Sequence, residues 1–176
     1  MPPENTAQDA AFFPAHAGEG VGTWPASLLR LGLAWAALIA ASAHEWGEML
    51  HQWWNIDTYN HILIVPIIIA WLVGLKREDL ARLAPRAWWP GLALVAAAMA
   101  LWGAGRLTGI NLLAHAGAVA MVQAAVIALL GPRVSVLLAL PLGFAAFLVP
   151  FGDELIPALQ FVTAEIAVAL TRAGGI

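Results

Sequence analysis

The chain has no cysteine among its 176 residues. That excludes disulfides, thiolate metal sites and a cysteine nucleophile within this stretch. Charge is scarce too: Asp, Glu, Lys and Arg make up 11% of the residues, against roughly 25% in a soluble domain. So few charges cannot clothe a water-facing surface, and lipid must cover much of the exterior. The net charge of −3 carries no basic footprint for nucleic acid. No Walker loop, zincin motif or serine-protease elbow is present. What remains is hydrocarbon: 61% of the residues are hydrophobic, and the mean hydropathy is +0.80.

Residues 1–26 are rich in Pro, Gly, Ala and acids and contain no Lys or Arg. They read as a disordered tail, not as a secretory signal, which opens on basic residues followed by an apolar run. The His16–Gly22 stretch is glycine-rich but follows no strand, so it does not read as a phosphate loop. Residues 27–176 read as one all-α polytopic bundle. A membrane helix needs about 20 apolar residues to cross ~30 Å of hydrocarbon. Five segments approach that length, at about 27–45, 59–75, 87–105, 109–130 and 134–151. The second is short and has to lean on interfacial residues or a thin bilayer. Pro66 and Pro141 are expected to kink the second and fifth. Along 152–172, Leu155, Leu159, Val162, Ile166 and Leu170 recur at helical spacing, while Glu154, Glu165 and Arg172 fall on another side. This predicts a C-terminal helix that either lies at the interface or turns a polar stripe towards a protein cavity.

Two polar groups stand out against this background. His44, Glu48 and His51 follow at i, i+4 and i+7, a spacing that shares one helix face and suits a nitrogen- and oxygen-ligated metal. The same pattern fits an amphipathic turn that is polar because it meets water, and no metal or cofactor is assigned. Asn111 and His115, with Gln123 deeper, mark the bundle-facing side of the fourth segment. They serve either helix–helix hydrogen bonding or a proton or transport path. A small transporter or channel and a non-catalytic membrane scaffold therefore both stay open. Hydroxyl nucleophiles lack support: Ser27, Ser42, Thr58, Thr163 and Thr171 have no motif that pairs them with a base.

Tyr59-Asn60-His61, the run Ile62-Leu63-Ile64-Val65-Pro66 and the later Lys76-Arg77-Glu78-Asp79-Leu80 resemble the exosortase family. That family carries a Tyr-x-His-Gly element, an apolar run and a basic inner loop; Ile62 stands here in the place of the glycine. Phe147-Leu148-Val149-Pro150, Leu155–Gln160 and Ala169–Ile176 extend the resemblance, which covers about 27–176. The resemblance implies a bacterial inner-membrane cysteine protease or transpeptidase. Its substrates are exported proteins with a PEP-CTERM signal, which enter as membrane helices, and the system accompanies exopolysaccharide export. The family's nucleophile sits in an Ala-Cys-Ser-Gly-x-Arg motif that would follow Ile176, so the chain reads as the N-terminal part of such an enzyme, inactive alone. Tyr59, His61, Glu154, Glu165 and Arg172 are then candidates for substrate recognition or for the wall of a cavity. The partners implied are the lipid bilayer and the substrate's C-terminal sorting helix.

Orientation follows from the basic residues, because basic loops stay in the cytoplasm. Lys76, Arg77, Arg82 and Arg86 crowd one loop. Alternation from there puts the N-terminus, Arg30 and Arg133 inside and leaves only Arg106 and Arg172 outside. Reporter enzymes fused within 76–86 and 45–58 are expected to be active on the cytoplasmic and periplasmic sides respectively. The reverse pattern would overturn the orientation.

Overall fold

The computed structural model describes residues 23–151 and 156–174. The chain is α-helical, with no strand among the described residues. Helix α1 is Trp24–Ala41 and α2 is Ala43–Asn55; a 3-10 stretch, Asp57–Ile64, leads into α3, Val65–Leu75. The short α4, Arg77–Ala81, precedes α5, Gly91–Thr108, and α6, Asn111–Leu130. Then come α7, Pro132–Leu137, α8, Ala139–Phe144, a 3-10 turn at Ala145–Leu148, and α9, Ile156–Ala173. Four spans among the described residues have the length and apolarity to cross a membrane: α1, the Asp57–Leu75 unit, α5 and α6.

Several expectations change in the structure. The first helix begins at Trp24, with Pro25 in its first turn, where a missing N–H costs nothing. Pro66 likewise sits in the first turn of α3 and starts that helix instead of kinking it. The second span is not short, because eight 3-10 residues precede eleven α residues. At ~2.0 and ~1.5 Å per residue the pair reaches roughly 32 Å, enough for the hydrocarbon layer. The fifth apolar segment does not form one long helix. Pro141 lacks an N–H for the Leu137 carbonyl and its ring crowds that group. The helix accordingly breaks at Leu138 into α7 and α8. Residues 45–58 are also not an open loop, since α2 fills most of the connection. Both ends of α2 join spans at the same end of the bundle, so it lies across that end. It turns Glu45, Met49 and Trp53 inward at every fourth residue and exposes Leu50 and Trp54.

Helix α6 is the centre. Within its span 56% of the residues are buried, against 11–17% in the other three spans. It contributes Ala118, Val119 and Met121 to one core, with Met49, Trp53, Tyr59 and Ile62. It contributes Ala125, Val126 and Leu130 to a second, with Leu31, Val134 and Leu138. Small residues let α5 lie directly against it. A Cβ at Gly105 would collide with the Ala114 backbone nitrogen, and one at Gly117 with the Trp102 nitrogen. In lipid, such backbone approach replaces the hydrophobic effect as the source of helix association. The hairpin closes through Gly109, at φ 71 in the left-handed region that favours glycine.

This packing makes a differential prediction. Gly105→Leu and Gly117→Leu should each destabilise the bundle by about 1–3 kcal/mol or more, the cost of overpacking. Gly103 lies two residues before Gly105, on the other side of α5, with nothing near its Cβ position, so Gly103→Ala should be neutral or stabilise by up to about 1 kcal/mol. Thermal unfolding in detergent distinguishes the three; equal effects would refute the close-packed hairpin.

Candidate functional site

The two ends of the bundle differ in chemistry. One end carries Lys76, Arg77, Arg82 and Arg86, and Trp24 is tied to it by an indole N–H donated to the Leu83 carbonyl at 2.9 Å. The other end is where α1 meets α2 and α5 turns into α6. It gathers His44, Glu45, Glu48, Arg106 and His115.

Glu45 faces inward from α2 and is 2% exposed. Arg106, in the last turn of α5, donates from Nη1 to its Oε1 at 3.2 Å. The guanidinium also lies 5.7 Å from the centroid of the Trp102 ring one turn earlier, a cation–π distance. One helical turn along α2, Glu48 contacts two imidazoles. His44 Nε2 lies 3.3 Å from Oε1, and His115 Nε2 lies 3.1 Å from Oε2. The His115 contact is a hydrogen bond, in which an ionised carboxylate accepts from the ring nitrogen, and the His44 contact lies within ion-pair distance. His44 is 66% exposed and His115 3%. Glu48 therefore links an imidazole at the surface to one inside the bundle, an arrangement able to pass protons between them.

Four buried polar atoms at or beside this cluster have no partner among the described residues: Glu45 Oε2 and the indole nitrogens of Trp46, Trp53 and Trp102. Buried polar groups are normally satisfied, so this end of the bundle holds unused hydrogen-bonding capacity. The hydroxyls do not share it. Ser42 donates to Leu38, Thr163 to Leu159 and Thr171 to Ala167, each a carbonyl one turn back in the same helix.

The sequence paired these residues differently. His51 does not join His44 and Glu48; its Nδ1 lies 3.0 Å from Asn55 Nδ2 on the exposed side of α2. Among the described residues no group of three His, Asp or Glu side chains is arranged to hold a metal. Asn111 is exposed at the start of α6 instead of facing the bundle with His115. Gln123 donates to the Leu142 carbonyl at 2.6 Å, a helix–helix bond. Tyr59 is buried in the core beside Trp53 and Ile62, whereas His61 is exposed. Glu165 and Arg172 are exposed on α9 and form no hydrogen bond or ion pair among the described residues. Glu154 lies outside the described residues. Sequence reasoning missed Glu45 and Arg106. The signal was present for Arg106, the single charge in the apolar α5, which needs a partner in the fold.

The family model described as transmembrane exosortase (Exosortase_EpsH) matches residues 53–176. The chain belongs to the transmembrane exosortase family. No curated protein and no solved structure matches it. The matched region contains Tyr59, His61, Arg106 and His115, while the α2 residues that engage the last two, Glu45 and Glu48, lie just before it. This exosortase thus joins a segment ahead of the matched region to its interior through two carboxylates.

The ion pair is asymmetric in burial, which fixes the order of mutational effects. Arg106→Gln strands a buried carboxylate and should cost about 3 kcal/mol. Glu45→Gln leaves an arginine that is 48% exposed and can turn to water, so about 1 kcal/mol is expected. The double variant should resemble Glu45→Gln alone. Detergent melting curves for the three test this, and a larger loss for Glu45→Gln would reverse the assignment of which partner is trapped.

Proposed function

We propose that the chain forms the helical bundle of an exosortase-like cysteine protease or transpeptidase of the bacterial inner membrane, processing PEP-CTERM-tagged exported proteins alongside exopolysaccharide export. The family match over 53–176 carries this reading. The cluster of His44, Glu48 and His115 beside Glu45 and Arg106 supports it, because thiol chemistry on a peptide needs proton transfer and a cation near the developing oxyanion. None of the 176 residues is a cysteine, so the thiolate must come from outside them. By the basic-loop rule the polar cluster faces the periplasm and the N-terminus the cytoplasm, the side on which an exported substrate's signal would meet it.

In this reading the substrate's sorting helix lies against the bundle from within the lipid. His61 and α9, with Glu165 and Arg172, act in recognition. Tyr59, being buried, supports the element that presents His61. We favour this reading over a small transporter or channel, because Asn111, His115 and Gln123 face the exterior, Glu48 and the Leu142 carbonyl and so do not line one path.

The test pairs two proteins, residues 1–176 alone and the same residues joined to the cysteine-bearing region of a complete exosortase. The first should leave a PEP-CTERM model substrate intact; the second should cleave it and be silenced by thiol alkylation. Within the joined protein, His61→Ala should raise KM, and Glu48→Ala should lower kcat by roughly 10²–10⁴, the usual worth of a proton-transfer group. Cleavage by residues 1–176 that resists thiol reagents would falsify the cysteine mechanism.

A further inference from the structure

A cavity of about 760 Å³ opens between α1 and α3, floored by α6 and α8. Leu28, Leu31, Ile69, Val126 and Leu142 are among its walls. The polar side chains that line it have mostly spent their donors on the protein. Trp24 donates to the Leu83 carbonyl, Trp35 to the Val122 carbonyl at 3.0 Å, and Gln123 to the Leu142 carbonyl. Arg77 is the exception. It lines the cavity at the basic end and forms no hydrogen bond or ion pair among the described residues. Its neighbour Asp79 is turned to Lys76 at 4.0 Å. The cavity is therefore a hydrocarbon slot, with the stem of Arg77 in its wall at the basic end.

We propose that this slot holds an acyl chain of an anionic phospholipid whose phosphate meets Arg77. Charge complementarity selects the headgroup: the 76–86 segment carries four basic and two acidic side chains, and basic pockets between membrane helices attract anionic headgroups. Length selects the chain. The α1 wall runs from Trp24 to Trp35, roughly 16 Å at 1.5 Å per residue, which is about half the ~30 Å hydrocarbon layer and hence the depth of one leaflet. Volume argues against a protein helix. A helix about 10 Å across that spans the layer fills more than roughly 2,000 Å³, whereas the slot falls in the ~300–1,000 Å³ range of small-ligand sites. The site is independent of the peptidase reading: it sits at the end of the bundle away from Glu48 and His115 and uses none of the residues assigned to the reaction.

Trp24 and Trp35 in the walls provide the readout. The full chain is reconstituted in phosphatidylcholine vesicles containing a minority of brominated-acyl phosphatidylglycerol or, at equal amount, brominated-acyl phosphatidylcholine. Tryptophan quenching should be stronger with the brominated phosphatidylglycerol. Arg77→Gln should reduce that preference about fivefold, the effect of one basic side chain near the membrane surface. Ala70→Phe, which fills the slot without changing charge, should abolish the excess, and Trp35→Phe should reduce it to the part that Trp24 reports. Arg82→Gln, outside the slot, should retain most of it. Equal quenching by the two lipids would overturn the proposal. So would loss of the preference in Arg82→Gln to the same degree as in Arg77→Gln, since that pattern marks diffuse attraction to the basic loop. An excess that survives Ala70→Phe would place the lipid elsewhere and overturn it equally.

Discussion

The close contact of α5 with α6 is the constraint on which the rest of the bundle depends. Lipid tails are as apolar as leucine, so burying hydrocarbon gains little between helices that both sit in a membrane. Association must come from dispersion at short range and from satisfied polar groups. Gly105 and Gly117 permit the first by removing the side chains that would hold the backbones apart. With α6 thus fixed at the centre, it becomes the receiver of the second. Trp35 donates to its Val122 carbonyl, Trp88 donates its backbone N–H to Ala128, and Arg86 donates its own to Leu130. Gln123 and His115 reach outward from it to α8 and α2.

The polar end follows from that arrangement. Once α5 and α6 are locked, Arg106 and His115 are presented together across the tight Gly109 turn. The helix α2 then supplies Glu45 and Glu48 at consecutive turn positions, one to each. An isolated charge in this setting would be costly, and the two carboxylates make both positions tolerable. The unpartnered indole nitrogens of Trp46, Trp53 and Trp102 and the second oxygen of Glu45 remain as spare capacity. The opposite end differs, with an apolar slot lined in part by Arg77. One bundle thereby keeps two unlike surfaces apart by the length of α6.

Much of this was legible along the chain. Composition and the apolar runs specify a helical membrane bundle, and four of the five proposed segments are spans long enough to cross. The Tyr59–Leu80 motifs pointed to the family that the match over 53–176 identifies. Prolines were located correctly but misread in role. Pro66 begins a helix, because a 3-10 stretch precedes it, and only the break before Pro141 follows the expected steric rule. The lone charge of Arg106 in α5 was visible yet unassigned, since nothing in a linear spacing tells which of several distant charges will meet.

Sequence by itself determined the solvent the protein lives in, the helical class, the basic end and the absence of a thiol among these residues. Those properties are sums over composition and local periodicity, and each residue contributes independently of its distant neighbours. Tertiary structure decided the pairings. His115 lies 67 positions from Glu48, and Arg106 lies 61 from Glu45. Local spacing instead suggested His51 for Glu48 and Asn111 beside His115. Helical periodicity brings residues three or four apart onto one face of one helix. It carries no information about which face meets another helix, or at what depth. That was settled by where two backbones can touch, at Gly105 and Gly117, and every pairing at the polar end follows from that contact.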